Sequence, residues 1–118
     1  MTKTKIKKLG MPRTPERALT LARKVKNWRL KRDLSEQREY SDMGIKTWGE
    51  YHFREYSGNC GEVNILLGEH LNRCQVSAYD LSVEIDSERE DFVLDPGFPT
   101  REAYHLASKL FNSIAGRT

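Results

Sequence analysis

The 118-residue sequence predicts an α+β domain in which helices pack on a small antiparallel sheet. Three observations carry the prediction. The segment Tyr79–Ile85 alternates apolar and polar residues, with Tyr79, Leu81, Val83 and Ile85 set against Asp80, Ser82 and Glu84, the pattern of a half-buried strand. The segments after Thr14 and Thr100 place apolar residues at helical spacing behind a capping residue. The stretch Ser57-Gly58-Asn59-Cys60-Gly61-Glu62-Val63-Asn64-Ile65-Leu66-Leu67 has a helix-start signature followed by an apolar stripe.

Residues 1–13 read as a flexible basic arm, with 14–118 as a single α+β domain. Thr14 caps a first helix, Pro15 takes its first position and Glu16 suits the first turn. Ala18, Leu21, Ala22, Val25 and Trp28 share one arc, which extends this basic helix to about Leu34. Ser41–Gly44 interrupts the pattern. Ile45–Tyr56 then gathers Trp48, Tyr51, Phe53 and Tyr56 in a strand or extended segment. These aromatics, interleaved with His52 and Arg54, suit either a core or the stacking of nucleobases.

The central helix is expected over residues 60–73. Asn59 caps it, Glu62 reaches back to complete the capping box, and Cys60, Val63, Leu67 and Leu71 line one face. A cysteine there has two readings. The helix N-terminus favours a thiolate nucleophile, whereas the stripe makes Cys60 an ordinary core residue. After the strand 79–85, Ser87–Glu90 forms a turn and Asp91–Leu94 returns as the second strand of a hairpin. Asp95-Pro96-Gly97-Phe98-Pro99 ends it. Thr100 caps a C-terminal helix with Ala103, Leu106, Ala107, Leu110 and Ile114 inward.

Composition narrows the class. No apolar run is long enough to span a membrane, and Thr2–Lys8 lacks the apolar centre of a signal peptide. Cys60 and Cys74, at either end of the expected helix, would stand ~20 Å apart, too far for a disulfide. Reduced thiols and a cytoplasmic setting follow as the expectation. Two cysteines and three scattered histidines show no zinc-ligand spacing, so no metal is expected.

Charge is unevenly distributed. Residues 1–40 carry 13 Lys/Arg against 4 Asp/Glu, and residues 41–118 carry 7 against 13, for a total of +3. Lys3, Lys5, Lys7, Lys8, Arg23, Lys24 and Lys26 form the candidate partner-binding surface. Its target is nucleic acid or an acidic protein; the competing reading is a basic segment that clamps onto its own acidic domain.

Gly58–Leu67 resembles the nucleophile motif of arylamine N-acetyltransferases, a glycine-led cysteine followed by x-E-x-N-x-L-L. Phe92-Val93-Leu94-Asp95-Pro96-Gly97-Phe98 is similar to that family's strand ending in Asp-x-Gly-Phe. The resemblance covers about residues 56–98 and implies a minimal transglutaminase-like, papain-like core with a Cys-His-Asp triad. Cys60 and Asp95 take the cysteine and aspartate positions. An ungapped match puts Asp80 where the histidine belongs, and Tyr56-Ser57 replaces the arginine-glycine lead-in. His70, ten residues along the expected helix, would be about 15 Å from Cys60. Two carboxylates near a thiol oppose its ionisation, so the implied site is catalytically degenerate. The resulting expectation is a small binding or regulatory protein that needs no cofactor. One alternative is a cysteine acyltransferase, amide hydrolase or deamidase in which His52 or His105 supplies the imidazole; acetyl-coenzyme A would be its donor if the family chemistry holds. Another is a nucleic-acid-binding protein whose cysteine is only core.

Overall fold

A computed structural model describes residues 10–117. The element order is α1 (Pro15–Ala22), β1 (Arg29–Asp42), β2 (Ile45–Cys60), β3 (Val63–Asn72), β4 (Gln75–Ile85), β5 (Glu88–Leu94) and α2 (Arg101–Ile114). The five strands form one antiparallel meander in the order β1-β2-β3-β4-β5. Two-residue loops join all four strand pairs. Met43-Gly44, Arg73-Cys74 and Asp86-Ser87 have positive φ at both positions, the type I′ pattern that matches strand twist. Gly61 has φ 62 at the first position of the β2–β3 loop, where glycine adopts that geometry without strain.

Both helices cover the same face of the sheet. Val63, Ile65 and Leu67 of β3 and Tyr79, Leu81, Val83 and Ile85 of β4 meet Ala18, Leu19 and Ala22 of α1 and Ala103, Ala107 and Phe111 of α2. Alanines at the contact let the helix backbones approach the sheet closely, and fully burying a residue such as Leu81 or Phe111 contributes about 1.5–3 kcal/mol. Thr14 caps α1 as expected, accepting a hydrogen bond from the Arg17 N–H at 3.3 Å. Thr100 makes no such cap; its hydroxyl turns back to the Asp95 carbonyl at 3.1 Å. Met11 packs against the core, and Arg13 reaches Glu90 at 3.0 Å.

The expected architecture, a cysteine-bearing central helix on a small sheet, is overturned. Residues 60–73 are not helical: Cys60 ends β2, and Val63–Asn72 forms the central strand. The segment carries two apolar periods at once. Cys60, Val63, Leu67 and Leu71 fit a helix, but Val63, Ile65 and Leu67 also fit a strand, and these three are buried. Neighbours on both sides decide for the strand, since β2 and β4 satisfy its backbone groups along its length. Gly68 removes the remaining obstacle, because a Cβ there would lie 2.6 Å from the Phe53 ring. The N-terminal helix likewise stops at Ala22 instead of Leu34, and Arg29–Asp42 pairs with β2.

The β1–β2 hairpin runs past the rest of the sheet. Pairing of β2 with β3 ends at Tyr51–Asn72, whereas pairing with β1 continues through Gln37–Glu50 to Asp42–Ile45. These six further rungs make an arm of roughly 20 Å, within a molecule 62 Å long. Met43, Ile45 and Trp48 are exposed on it.

Candidate functional site

The structure does not bring the triad-like positions together. Cys60 pairs with Val63 at one end of the sheet, half-buried and packed on the core. Asp80 pairs with Gly68, five residues along β3, or about 17 Å at ~3.4 Å per residue. It also lies on the opposite face, since Gly68 alternates with the inward Leu67 and Glu69. Asp95 follows Leu94, which pairs with Tyr79 and so sits level with Glu69, about 20 Å along the strands from Cys60. There its carboxylate accepts the Gly97 N–H at 3.0 Å and shapes the turn into α2. His70 and His52 lie seven and eight rungs from the Cys60 end, and His105 is exposed on α2. Both cysteines are free. Among the described residues no group of His, Cys, Asp and Glu is placed to hold a metal ion, and no helix is long and apolar enough to cross a membrane.

The basic segment has a clearer geometry. Residues 23–32, Arg-Lys-Val-Lys-Asn-Trp-Arg-Leu-Lys-Arg, contain six cations and no acid. The backbone leaves α1, crosses the end of β2 and enters β1. Val25 is buried and Trp28 half-buried, and both pack closely over Gly58. Asn27 locks the crossing by accepting the Asn59 N–H at 3.0 Å and donating to the Asn59 side-chain oxygen at 3.0 Å. With the apolar residues held inward, Arg23, Lys24, Lys26, Arg29 and Lys31 are all exposed. None of the five has an ion-pair partner among the described residues; Arg32 alone approaches a carboxylate, Glu55 at 3.9 Å. Lys3, Lys5, Lys7 and Lys8 lie outside the described residues. The clamping alternative is met at Arg13, which bridges Glu88 and Glu90 across the β5 edge, and it does not extend to residues 23–31.

Among the described residues no helix or further strand covers the face opposite the helices. Beside the start of β1 it carries a depression of about 250 Å³ whose lining includes Lys31, Ser57, Asn64, Ser82, Glu84 and Arg89. Farther along lies a polar network that sequence reading missed. His70 Nε2 is 2.7 Å from Asp80 Oδ2, and its Nδ1 is hydrogen-bonded to the Tyr51 hydroxyl. With Nε2–H donating to Asp80, Nδ1 accepts from Tyr51, so all three side chains are satisfied. The Arg38 guanidinium sits 3.6 Å above the Tyr51 ring, and Phe53 stacks 4.6 Å from the His70 ring. Burial pushes the Tyr51 hydroxyl up from its ordinary value, with Arg38 partly opposing it. The one legible signal was the alternation of β3: read as a strand, it sets His70 beside Asp80. On the other face of the hairpin, the hydrogen bond from His52 holds the Asp33 carboxyl below its usual range, assisted by the charge on Arg54.

Comparison with known proteins found no matching family model, no matching curated relative and no matching solved structure.

Proposed function

We propose that this protein binds a polyanion, and specifically a nucleic-acid backbone, through the basic segment that joins α1 to β1. The observation that carries the reading is that Arg23, Lys24, Lys26, Arg29 and Lys31 have no ion-pair partner among the described residues and stand on a crossing held in place by Val25, Trp28 and Asn27. Solvated cations on a fixed backbone suit phosphate contacts, which position a duplex and release counterions without reading sequence. Trp28 is turned inward and is not a base-stacking platform, which favours backbone contact over base recognition. The basic N-terminal residues add charge to the same end of the chain.

The test is binding of a fluorescein-labelled 30-base-pair duplex, followed by anisotropy from low to moderate salt. The wild type should bind with an affinity that falls steeply with salt. Lys24→Glu combined with Lys26→Glu should weaken binding and flatten the slope by about 2, roughly one unit per lost phosphate contact. The thermal midpoint should stay within a few degrees, because both positions are exposed. A folded double variant that binds as tightly as wild type refutes the proposal. Wild-type binding to polyglutamate but not to duplex or single-stranded DNA would reassign the surface to an acidic protein.

A further inference from the structure

The free edge of the sheet supports a second inference, independent of the basic segment. We propose that β1 pairs antiparallel with β1 of a second copy, about a two-fold axis through Gln37, to form a continuous ten-stranded sheet. Three features lead there. First, from Arg32 to Asp42 the strand is bulge-free, its only irregularity lying between Leu30 and Arg32. Second, the direction of its backbone groups follows from β2: the Glu50 carbonyl points away from β1 and accepts the Arg73 N–H at 2.8 Å. Glu50 faces Gln37, so Gln37 and its alternates Asp33, Ser35, Glu39 and Ser41 turn their N–H and C=O groups to the open edge. Third, among the described residues the arm built on this edge has no third strand, and an isolated two-stranded ribbon is marginally stable in water.

Charge complementarity names the occupant and sets the register. Centring on Gln37 pairs Arg32 with Asp42, Leu34 with Tyr40, and Glu36 with Arg38 of the second copy, each pair occurring twice. These side chains share the open face in the non-hydrogen-bonded positions, where cross-strand contacts are closest. Neighbouring registers fail on the same criterion. Centring on Ser35 sets Arg32 against Arg38, centring on Glu36 sets Asp33 against Glu39, and centring on Arg38 sets that residue against itself. Centring on Leu34 runs into the bulge. In the favoured register the arm of each copy lies along the root of β1 in the other, supplying its missing third strand. Arg38 would exchange its contact with Glu36 of its own strand for Glu36 of the second copy, and the Asp42 carboxylate, held by Arg73 of its own chain at 2.8 Å, would be shared with Arg32 of the second copy.

Sedimentation equilibrium of the full chain, with circular dichroism as the folding control, tests this. The wild type should show a concentration-dependent monomer–dimer equilibrium. Glu36→Arg places like charges opposite Arg38 twice, and Arg38→Glu places them opposite Glu36 twice. Each should raise the dimer dissociation constant by about tenfold or more. An equimolar mixture of the two variants restores every pair across the interface and should form a heterodimer near wild-type affinity. Gln37→Lys, an exposed change that sets like charges on the axis, should also weaken dimerisation without affecting the fold. A monomeric wild type, a Glu36→Arg or Arg38→Glu variant that dimerises like wild type, or a mixture that fails to recover, overturns the proposal.

Discussion

Replacing Arg117 by alanine should destabilise the fold, because it strips the main partner from a buried charge. Glu69 is 1% exposed and is the one charged residue in the core among the described residues. Its Oε2 accepts hydrogen bonds from Arg117 Nη2 at 2.7 Å and from the Tyr79 hydroxyl at 2.9 Å. A net charge-assisted hydrogen bond contributes ~1.5–3 kcal/mol, and removing one partner of a fully buried pair costs ~3–5 kcal/mol. The Arg117 side chain is 41% exposed, so water can replace part of the interaction. The expected loss is therefore at the low end, about 2 kcal/mol. At ~2.1 cal/mol/K per residue over 118 residues, the thermal midpoint should fall by about 8 °C. Urea denaturation of wild type, Arg117→Ala, Glu69→Gln and the double variant closes a cycle. In the Glu69→Gln background the arginine should matter little, since the carboxylate it neutralises is gone. A midpoint shift below about 2 °C for Arg117→Ala, or an equal loss in both backgrounds, would refute the argument that this pair fastens the end of α2 to the sheet.

Three further outcomes follow from particular contacts. Burial pushes the Tyr79 hydroxyl up to about 12; an unfolded tyrosine ionises near ~10, so the unfolded chain loses this proton first and stability falls as pH rises between the two. The component should be about 1.3 kcal/mol between pH 9 and 11, measured by urea midpoints and absent in Tyr79→Phe. Gly58→Ala places a Cβ 2.4 Å from Val25 and 3.2 Å from Trp28, so overpacking should cost ~1–3 kcal/mol and, in a Trp48→Phe background, move Trp28 emission to the red. Cys74 is exposed with φ 70 in the β3–β4 turn; Cys74→Gly should stabilise by about 0.5–1 kcal/mol, and in the wild type iodoacetamide should modify Cys74 before the half-buried Cys60.

Where local chemistry is unambiguous, sequence alone determined the structure. Thr14-Pro15-Glu16 can hardly do anything but start a helix, and α1 begins there. The alternation of Tyr79–Ile85 admits one burial pattern, and its inward residues are the buried ones. The helical stripe behind Thr100 became α2, with Ala103 and Ala107 against the sheet, but Phe111 completes the buried face while Leu106, expected inward, is exposed. The density of cations before residue 32 is likewise a property of the chain. Tertiary structure decided the rest. Residues 60–72 fit two periods, and the choice between them rested on β2 and β4 lying alongside, which no local window contains. Once Val63–Asn72 became a strand, Cys60, Asp80 and Asp95 were spread along the sheet and His70 was brought to Asp80. Arg29–Asp42 shows little alternation because the strand is exposed along nearly its whole length; its strand conformation comes from pairing with Ile45–Cys60 through Met43-Gly44. Backbone hydrogen bonds between distant segments leave no trace in the side-chain pattern when neither face is buried, so that hairpin and its free edge were legible only in three dimensions.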